Sequence, residues 1–192
     1  MEKYGSKGYL ELIIGPMFSG KTSKLIDYYN YFIGENKKVL AINYDGDNRY
    51  SNTNIVSHDN KSIESEFTNN LYKINNILEE KNKLDIDKYD VILVNEGQFF
   101  EEIVSWTKFR VESMNQIVII CGLDCDFKRE LFGNLYKLIP ICNSIIKLNA
   151  ICKICNSEDG LFSYRTCNSN NIIVIGNDYI PLCRRCYLNN KN

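Results

Sequence analysis

No stretch of this chain is both apolar and long. Its hydrophobic runs, such as Ile117 to Cys121, fall far short of the roughly 20 residues that cross a bilayer. Met1 to Gly8 are polar and charged, unlike a secretory leader, so the expected compartment is the cytoplasm. A basic excess is missing as well: 23 Lys and Arg stand against 24 Asp and Glu, a net charge of −1. That balance gives no global field for nucleic acid and no polybasic segment for an anionic membrane. Alanine occurs only at 41 and 150, and histidine only at 58. The matching richness in Asn, Ile, Lys and Tyr is a bias of composition without chemical content. Internal repeats and low-complexity tracts are absent.

What is present is an ordinary globular balance, 192 residues with 44% hydrophobic and 24% charged side chains. Leu10 to Ile14 reads as a buried strand ending in Gly-Pro. From Thr22, apolar residues at 25, 26, 29, 32 and 33 predict a helix, with Gly34 as its C-terminal stop. Val39 to Ile42, Val91 to Val94 and Ile117 to Ile120 predict three more buried strands. Helices are expected around Leu71 to Leu78 and Phe100 to Val111. Residues 43–70 are polar and aperiodic, the pattern of a mobile loop with at most a strand near Ile55. This alternation predicts an α/β fold around a mostly parallel sheet over residues 1–148. Residues 149–192 change character, with two Cys-x-x-Cys pairs and a β-rich stretch at Asn171 to Ile175, and are expected to form a small zinc-binding domain.

Three motifs carry chemistry. The first is Gly15-Pro16-Met17-Phe18-Ser19-Gly20-Lys21-Thr22, a G-x-x-x-x-G-K-[ST] loop between a predicted strand and helix. Glycine-rich turns aim several backbone N–H groups at one phosphate, and the following helix adds its positive end. Lys21 would reach the β/γ-phosphates of a nucleotide and Thr22 would ligate Mg²⁺. The second is Val91-Ile-Leu-Val-Asn95-Glu96-Gly-Gln98, an apolar strand ending beside an acid. Glu96 could accept the proton of an attacking hydroxyl, whereas Asn95 offers an ion only a neutral carbonyl. The third is Cys152-x-x-Cys155 with Cys183-x-x-Cys186, separated by 27 residues. Four thiolates in two knuckles make a closed structural zinc site. A redox pair is the rival reading, but it needs only one Cys-x-x-Cys beside a βαβ unit. Cys121, Cys125, Cys142 and Cys167 are expected to be small buried or neutral residues, and lone His58 is more often structural than catalytic.

Together these motifs resemble the zinc-containing thymidine kinases. The Pro-Met-Phe interior of the loop at 15–21 is part of the likeness. So are Asp47-x-Arg49-Tyr50-Ser51, Ser57-His58-Asp59, Glu96-Gly97-Gln98-Phe99-Phe100 and Leu123-Asp124 through Phe127-x-Arg129. Phe132-Gly133, Val174-Ile175-Gly176, Tyr179 and the four cysteines extend it over residues 10–188. The resemblance implies a P-loop, RecA-like ATPase fold and transfer of the γ-phosphoryl of ATP to the 5′-hydroxyl of thymidine. It implies that Gly15 to Thr22, Asp47, Asn48, Arg49, Asn95 and Gln98 serve ATP and its Mg²⁺, and that Arg49 and Glu96 are catalytic. Phe99, Leu123, Phe127, Phe132, Ser163 and Tyr179 would surround the nucleoside. Ile172, Ile173, Val174, Ile175 and Gly176 would form a lid loop that reads the base with backbone groups. Cys152, Cys155, Cys183 and Cys186 would hold zinc. A homotetramer with feedback inhibition by thymidine triphosphate is implied in the same way. Asn95 departs from the family's usual magnesium-associated Asp, and the chain between Gly176 and Tyr179 is short.

Three other readings compete. A P-loop enzyme acting on another acceptor would share the first two motifs. A nucleic-acid module with an ATP switch would share the zinc knuckles, but the basic residues near them, such as Arg184 and Arg185, are isolated. An inactive homologue, with Asn95 as its sign, is opposed by the presence of Lys21, Thr22 and Glu96.

Overall fold

The computed structural model describes residues 4, 7–46, 53–167 and 178–190. Among these the strands are, in chain order, β1 (Tyr9–Gly15), β2 (Val39–Tyr44), β3 (Asn54–Val56), β4 (Ser62–Glu64), β5 (Glu66–Thr68), β6 (Val91–Val94), β7 (Ile117–Leu123), β8 (Ser144–Lys147), β9 (Phe162–Arg165) and β10 (Tyr179–Leu182). The α-helices are α1 (Lys21–Gly34), α2 (Ile74–Glu80), α3 (Ile103–Lys108) and α4 (Arg184–Asn189). No described helix is long and apolar enough to cross a membrane.

Six strands form one sheet in the order β5-β2-β6-β7-β1-β8, and every pairing in it is parallel. The near-continuous apolar runs of β1, β6 and β7 follow from burial on both faces, because successive side chains point to opposite sides. One set, including Ile13, Ala41, Leu93 and Ile119, packs against Leu25, Ile26 and Phe32 of α1. The alternate set, including Leu12, Ile42, Val94 and Ile120, packs against Ile74 and Leu78 of α2 and Ile103 and Trp106 of α3. Beyond the sheet, β9 and β10 pair antiparallel. A separate apolar cluster of Cys152, Leu182, Cys183, Cys186 and Tyr187 lies with them.

The strand expected near Ile55 is β3, but among the described residues the structure corrects the rest of the loop reading of residues 43–70. β2 extends through Asn43 and Tyr44, β3 and β4 form a hairpin, and β5 joins the sheet edge beside β2. The hairpin buries one residue of each strand, Ile55 and Ile63, against the α1 face. Gly34 does not end α1 by a left-handed turn. It is the last helical residue, and Asn36 takes the positive φ of 57°. Asn60, Asn82, Asn115 and Asn156 also have φ between 54° and 61°, in the left-handed region that asparagine tolerates better than most residues. The helix expected along Phe100 to Val111 is α3 followed by a π-helical turn at Phe109–Ser113. The β-rich stretch read at Asn171 to Ile175 lies outside the described residues.

On the edge strand β5, Glu66 is 1% exposed and accepts hydrogen bonds from Lys81 at 2.5 Å and Lys83 at 2.6 Å. Burial alone would push its carboxyl up, but the bonds and charges of the two lysines outweigh it and hold the group below its ordinary value. A lowered carboxyl adds stability that is fully present above the unfolded value of about 4.3 and is lost as pH falls through the native value. Glu66→Gln should therefore lower unfolding free energy at pH 7 by about 1–3 kcal/mol. Denaturant titrations at pH 7 and pH 3 should show the gap between wild type and variant closing at the lower pH.

Candidate active site

All six strands of the sheet point one way, so their carboxyl ends share one edge, the place where open α/β sheets bind ligands. Gly15 to Lys21 leave β1 there, Asn95 and Glu96 leave β6, Leu123 ends β7 and Tyr44 ends β2. These ends border a cavity of about 490 Å³. Met17, Phe18, Ser19, Gly20, Lys21, Thr22, Asn95, Glu96, Phe99, Leu123, Phe127, Phe132, Ser163 and Tyr179 all line it. Residues more than 140 positions apart in sequence are thus brought to one space. Asp47, Asn48, Arg49 and Ile172 to Gly176 lie outside the described residues.

The loop after β1 is shaped by its backbone. Gly20 has φ 81°, a left-handed conformation that a side chain would strain. A Cβ at Gly15 would stand 2.3 Å from the Leu148 carbonyl oxygen, so β1 meets the turn after β8 only through glycine. Ser19 Oγ and Lys21 Nζ donate to the Pro16 carbonyl at 2.8 and 2.6 Å, which folds the loop over itself. The Met17 N–H donates to Ser163 Oγ at 2.9 Å, joining the loop to β9. Phe18, itself at φ 64°, lies against the His58 ring with centroids 4.8 Å apart. His58 sits in the β3–β4 hairpin, whose Asp59 accepts from Ser23 of α1 at 2.7 Å. Hydrogen bonds from Ser57 and Ser23 pull the Asp59 carboxyl down to about 2, so it is ionised beside the loop at neutral pH.

Glu96 follows β6 at φ 54° and ψ 42°, left-handed for a residue with a full side chain. Strain of this kind persists where the surroundings over-determine it, and it concentrates at functional sites. Here Gln98 supplies the restraint. Its Nε2 donates to Glu96 Oε2 at 2.6 Å and its Oε1 accepts from the Leu123 N–H at 3.0 Å. Gln98 is buried, so the bridge ties the acid to the end of β7. Asn95 is also buried, with both ends of its amide engaged: Nδ2 donates to Asn43 Oδ1 at 2.9 Å, and Oδ1 accepts from the Cys121 thiol at 2.9 Å. Asn95 therefore links β2, β6 and β7, a role its position in the sequence does not reveal.

Aromatic rings enclose the other part of the cavity. Phe99 stacks on Tyr44 at 4.9 Å and meets the edge of Phe132 at 5.6 Å. Phe127 is held by the cysteine-bearing unit: Tyr187 Oη of α4 donates to its carbonyl at 2.7 Å, and the Arg165 guanidinium lies 3.6 Å from its ring centre. Arg165 also donates through Nε to Tyr179 Oη at 3.2 Å. Sequence reasoning gives no site role to Tyr44, Asn43, Asp126 or Arg165. The signal for Arg165 is the alternation Phe162-Ser163-Tyr164-Arg165, which puts Ser163 and Arg165 on one face of β9 and both aromatics on the other. Burial beside Asp124 pushes the Cys125 thiol up to about 12, so it stays neutral in the cavity wall.

Cys152, Cys155, Cys183 and Cys186 bring their sulfurs within 4.8 Å of one another. The Cys155–Cys183 sulfur separation is 3.7 Å. A zinc tetrahedron with Zn–S bonds of about 2.3 Å has sulfur edges of about 3.8 Å, so this donor set and size fit zinc. Hydrogen bonding by Ser157 lowers the Cys155 thiol, which favours the thiolate a metal takes.

A thymidine kinase family model matches residues 8–187. The chain is 43% identical over 185 residues to the thymidine kinase of Amsacta moorei entomopoxvirus, covering 94% of this chain and 98% of that protein. It is 37% identical to the thymidine kinase of sheeppox virus, covering 94% and 97%. It is 39% identical to that of vaccinia virus (strain Western Reserve), again covering 94% and 97%.

The Asn95 amide generates a stability prediction. In Asn95→Asp the new carboxylate has no N–H for Asn43 Oδ1 and brings a buried charge. Its unfolding free energy should fall by about 1–3 kcal/mol, read as a lower thermal midpoint for the ligand-free protein.

Proposed function

The chain belongs to the thymidine kinase family and phosphorylates thymidine with ATP, and we propose how its own residues divide that work. One observation supports the reading above the others: Lys21, Thr22, Glu96 and the rings of Phe99, Phe127, Phe132 and Tyr179 line a single cavity. In this reading the backbone of Gly15 to Thr22 holds the ATP phosphates, with Lys21 balancing charge on the β- and γ-phosphoryl groups. Asp47, Asn48 and Arg49 approach the same phosphates, and Arg49 neutralises charge on the transferred group. The rings and Leu123 hold thymine, and Ile172 to Gly176 close over its edge as a lid.

Glu96 is then the base. Its carboxylate, aimed by Gln98, takes the proton of the thymidine 5′-hydroxyl as that oxygen bonds to the γ-phosphorus and the bond to ADP breaks. The thymidine becomes its 5′-monophosphate. Thr22 would hold a magnesium ion against the phosphates, where it supplies further charge neutralisation. Asn95 steadies the end of β6 under Glu96. The four cysteines hold one zinc, which keeps β9 and the lid in place as part of a C-terminal unit over residues 149–192. The proposal extends to a cytoplasmic homotetramer inhibited by thymidine triphosphate; these features rest on the resemblance alone.

Two measurements test this division. Glu96→Gln should lower kcat by about 10²–10⁴-fold, the ordinary worth of a general base, with ATP affinity unchanged within about threefold. A loss below about tenfold would assign Glu96 another role. Purified protein should contain about one zinc per chain, and removing it with a strong chelator should abolish the cooperative unfolding of the C-terminal unit. Zinc well under half an equivalent would overturn the metal assignment.

A further inference from the structure

Among the described residues, Arg165 does not line the cavity, yet it touches two residues that do. It is the last residue of β9, 7% exposed, and shares a strand face with Ser163. Its guanidinium carbon is 3.6 Å from the Phe127 ring centre and 5.1 Å from the Tyr179 ring centre. Nε and Nη2 both donate to Tyr179 Oη, the first at 3.2 Å. A planar, rigid fork can cover a π face while directing two N–H groups at one oxygen, which a lysine ammonium cannot do. Both bonds approach the phenol oxygen from one edge of the guanidinium, so they tether the Tyr179 hydroxyl to the end of β9 while the same cation lies beside the ring.

We propose that Arg165 is a positioning residue of the nucleoside pocket, a buried guanidinium that locks the Phe127 and Tyr179 rings in the orientation that receives thymine. The inference rests on the reading of those two rings as the base site. Phe127 is also held by its carbonyl, through Tyr187 Oη, and its ring meets the Lys128 ammonium at 5.5 Å, a longer contact than that of Arg165 and one made by a flexible neighbour in sequence. The close, buried guanidinium on its face narrows the ring's side-chain freedom before substrate arrives. Ordering the rings in advance spares the substrate that cost, so the effect belongs to thymidine binding and not to phosphate binding. The neighbouring Ser163 contact with the Met17 N–H stays in place when Arg165 changes, because it uses a different side chain.

Steady-state kinetics on the full chain test this, with zinc content and thermal midpoint measured for each variant. Arg165→Met, which keeps the length and loses the charge and both donors, should raise the thymidine KM about tenfold or more, with the ATP KM within about twofold. Arg165→Lys should recover part of the loss. Tyr179→Phe should raise the thymidine KM as well, and combining it with Arg165→Met should cost less than the product of the two effects, as for groups acting as a unit. Phe127→Ala reports on the base site itself. If it raises the thymidine KM while the Arg165 variants leave it within twofold, the positioning role is wrong. If Phe127→Ala has no effect, the base-site reading fails and the inference falls with it. Parallel rises in both KM values would show a merely structural residue and overturn the proposal. Should Arg165→Met not fold, Arg165→Lys and Tyr179→Phe decide, and an unchanged thymidine KM in both overturns it.

Discussion

A parallel sheet covered on both faces constrains where this chain can place polar chemistry. The strands β1, β6 and β7 are apolar along nearly their whole length because helices pack on each side of them. Polar side chains can leave the core only where the strands end, and in a parallel sheet those ends fall together. The loop after β1, the Asn95–Gln98 turn after β6 and the Leu123–Phe127 segment after β7 therefore meet without any sequence proximity. The same arrangement sustains the left-handed backbones of Phe18 and Glu96. Each is fixed between rigid strand or helix ends, and hydrogen bonds from neighbouring elements leave no room to relax.

The C-terminal unit takes part in the cavity through one strand. Phe162 and Tyr164 of β9 pack with the cysteine cluster, while Ser163 and Arg165 face the β1 loop and the aromatic rings. A shift of β9 by one residue would exchange these faces. Whatever fixes the register of β9 thus fixes the loop after β1 and the rings of Phe127 and Tyr179 at once. Arg129 adds a second grip, its guanidinium 4.7 Å from the Tyr187 ring, in the segment that presents Phe127.

The legible parts of the sequence were those whose signal is local. Val91 to Val94 stands as β6, and the Gly15–Thr22 loop lies between β1 and α1, because a buried apolar run and a glycine-spaced turn each need only a few adjacent residues. The cysteine pairs meet as their spacing implied. The strand expected near Ile55 is β3, whereas its partner β4 and the edge strand β5 were hidden because each is three residues long with a single apolar residue. They are held by partners distant in the chain, such as the Lys81 and Lys83 contacts to Glu66. Asn43 looked like the start of a polar loop, whereas it is the buried partner of Asn95. Arg165 drew no expectation from the sequence, since its burial and ring contacts arise only from the tertiary fold.

The five asparagines in left-handed turns, at 36, 60, 82, 115 and 156, give the biased composition a physical meaning. Glycine is the residue most at ease in that conformation, but it also has the largest freedom to lose on folding. Asparagine reaches the same backbone angles from a narrower unfolded ensemble, and substitutions that narrow it at compatible sites are worth about 0.4–1 kcal/mol each. The Cβ strain of the left-handed state offsets part of that gain. Spread over five turns, this exchange places stabilisation in the entropy of the disordered chain, where no contact in the folded protein records it.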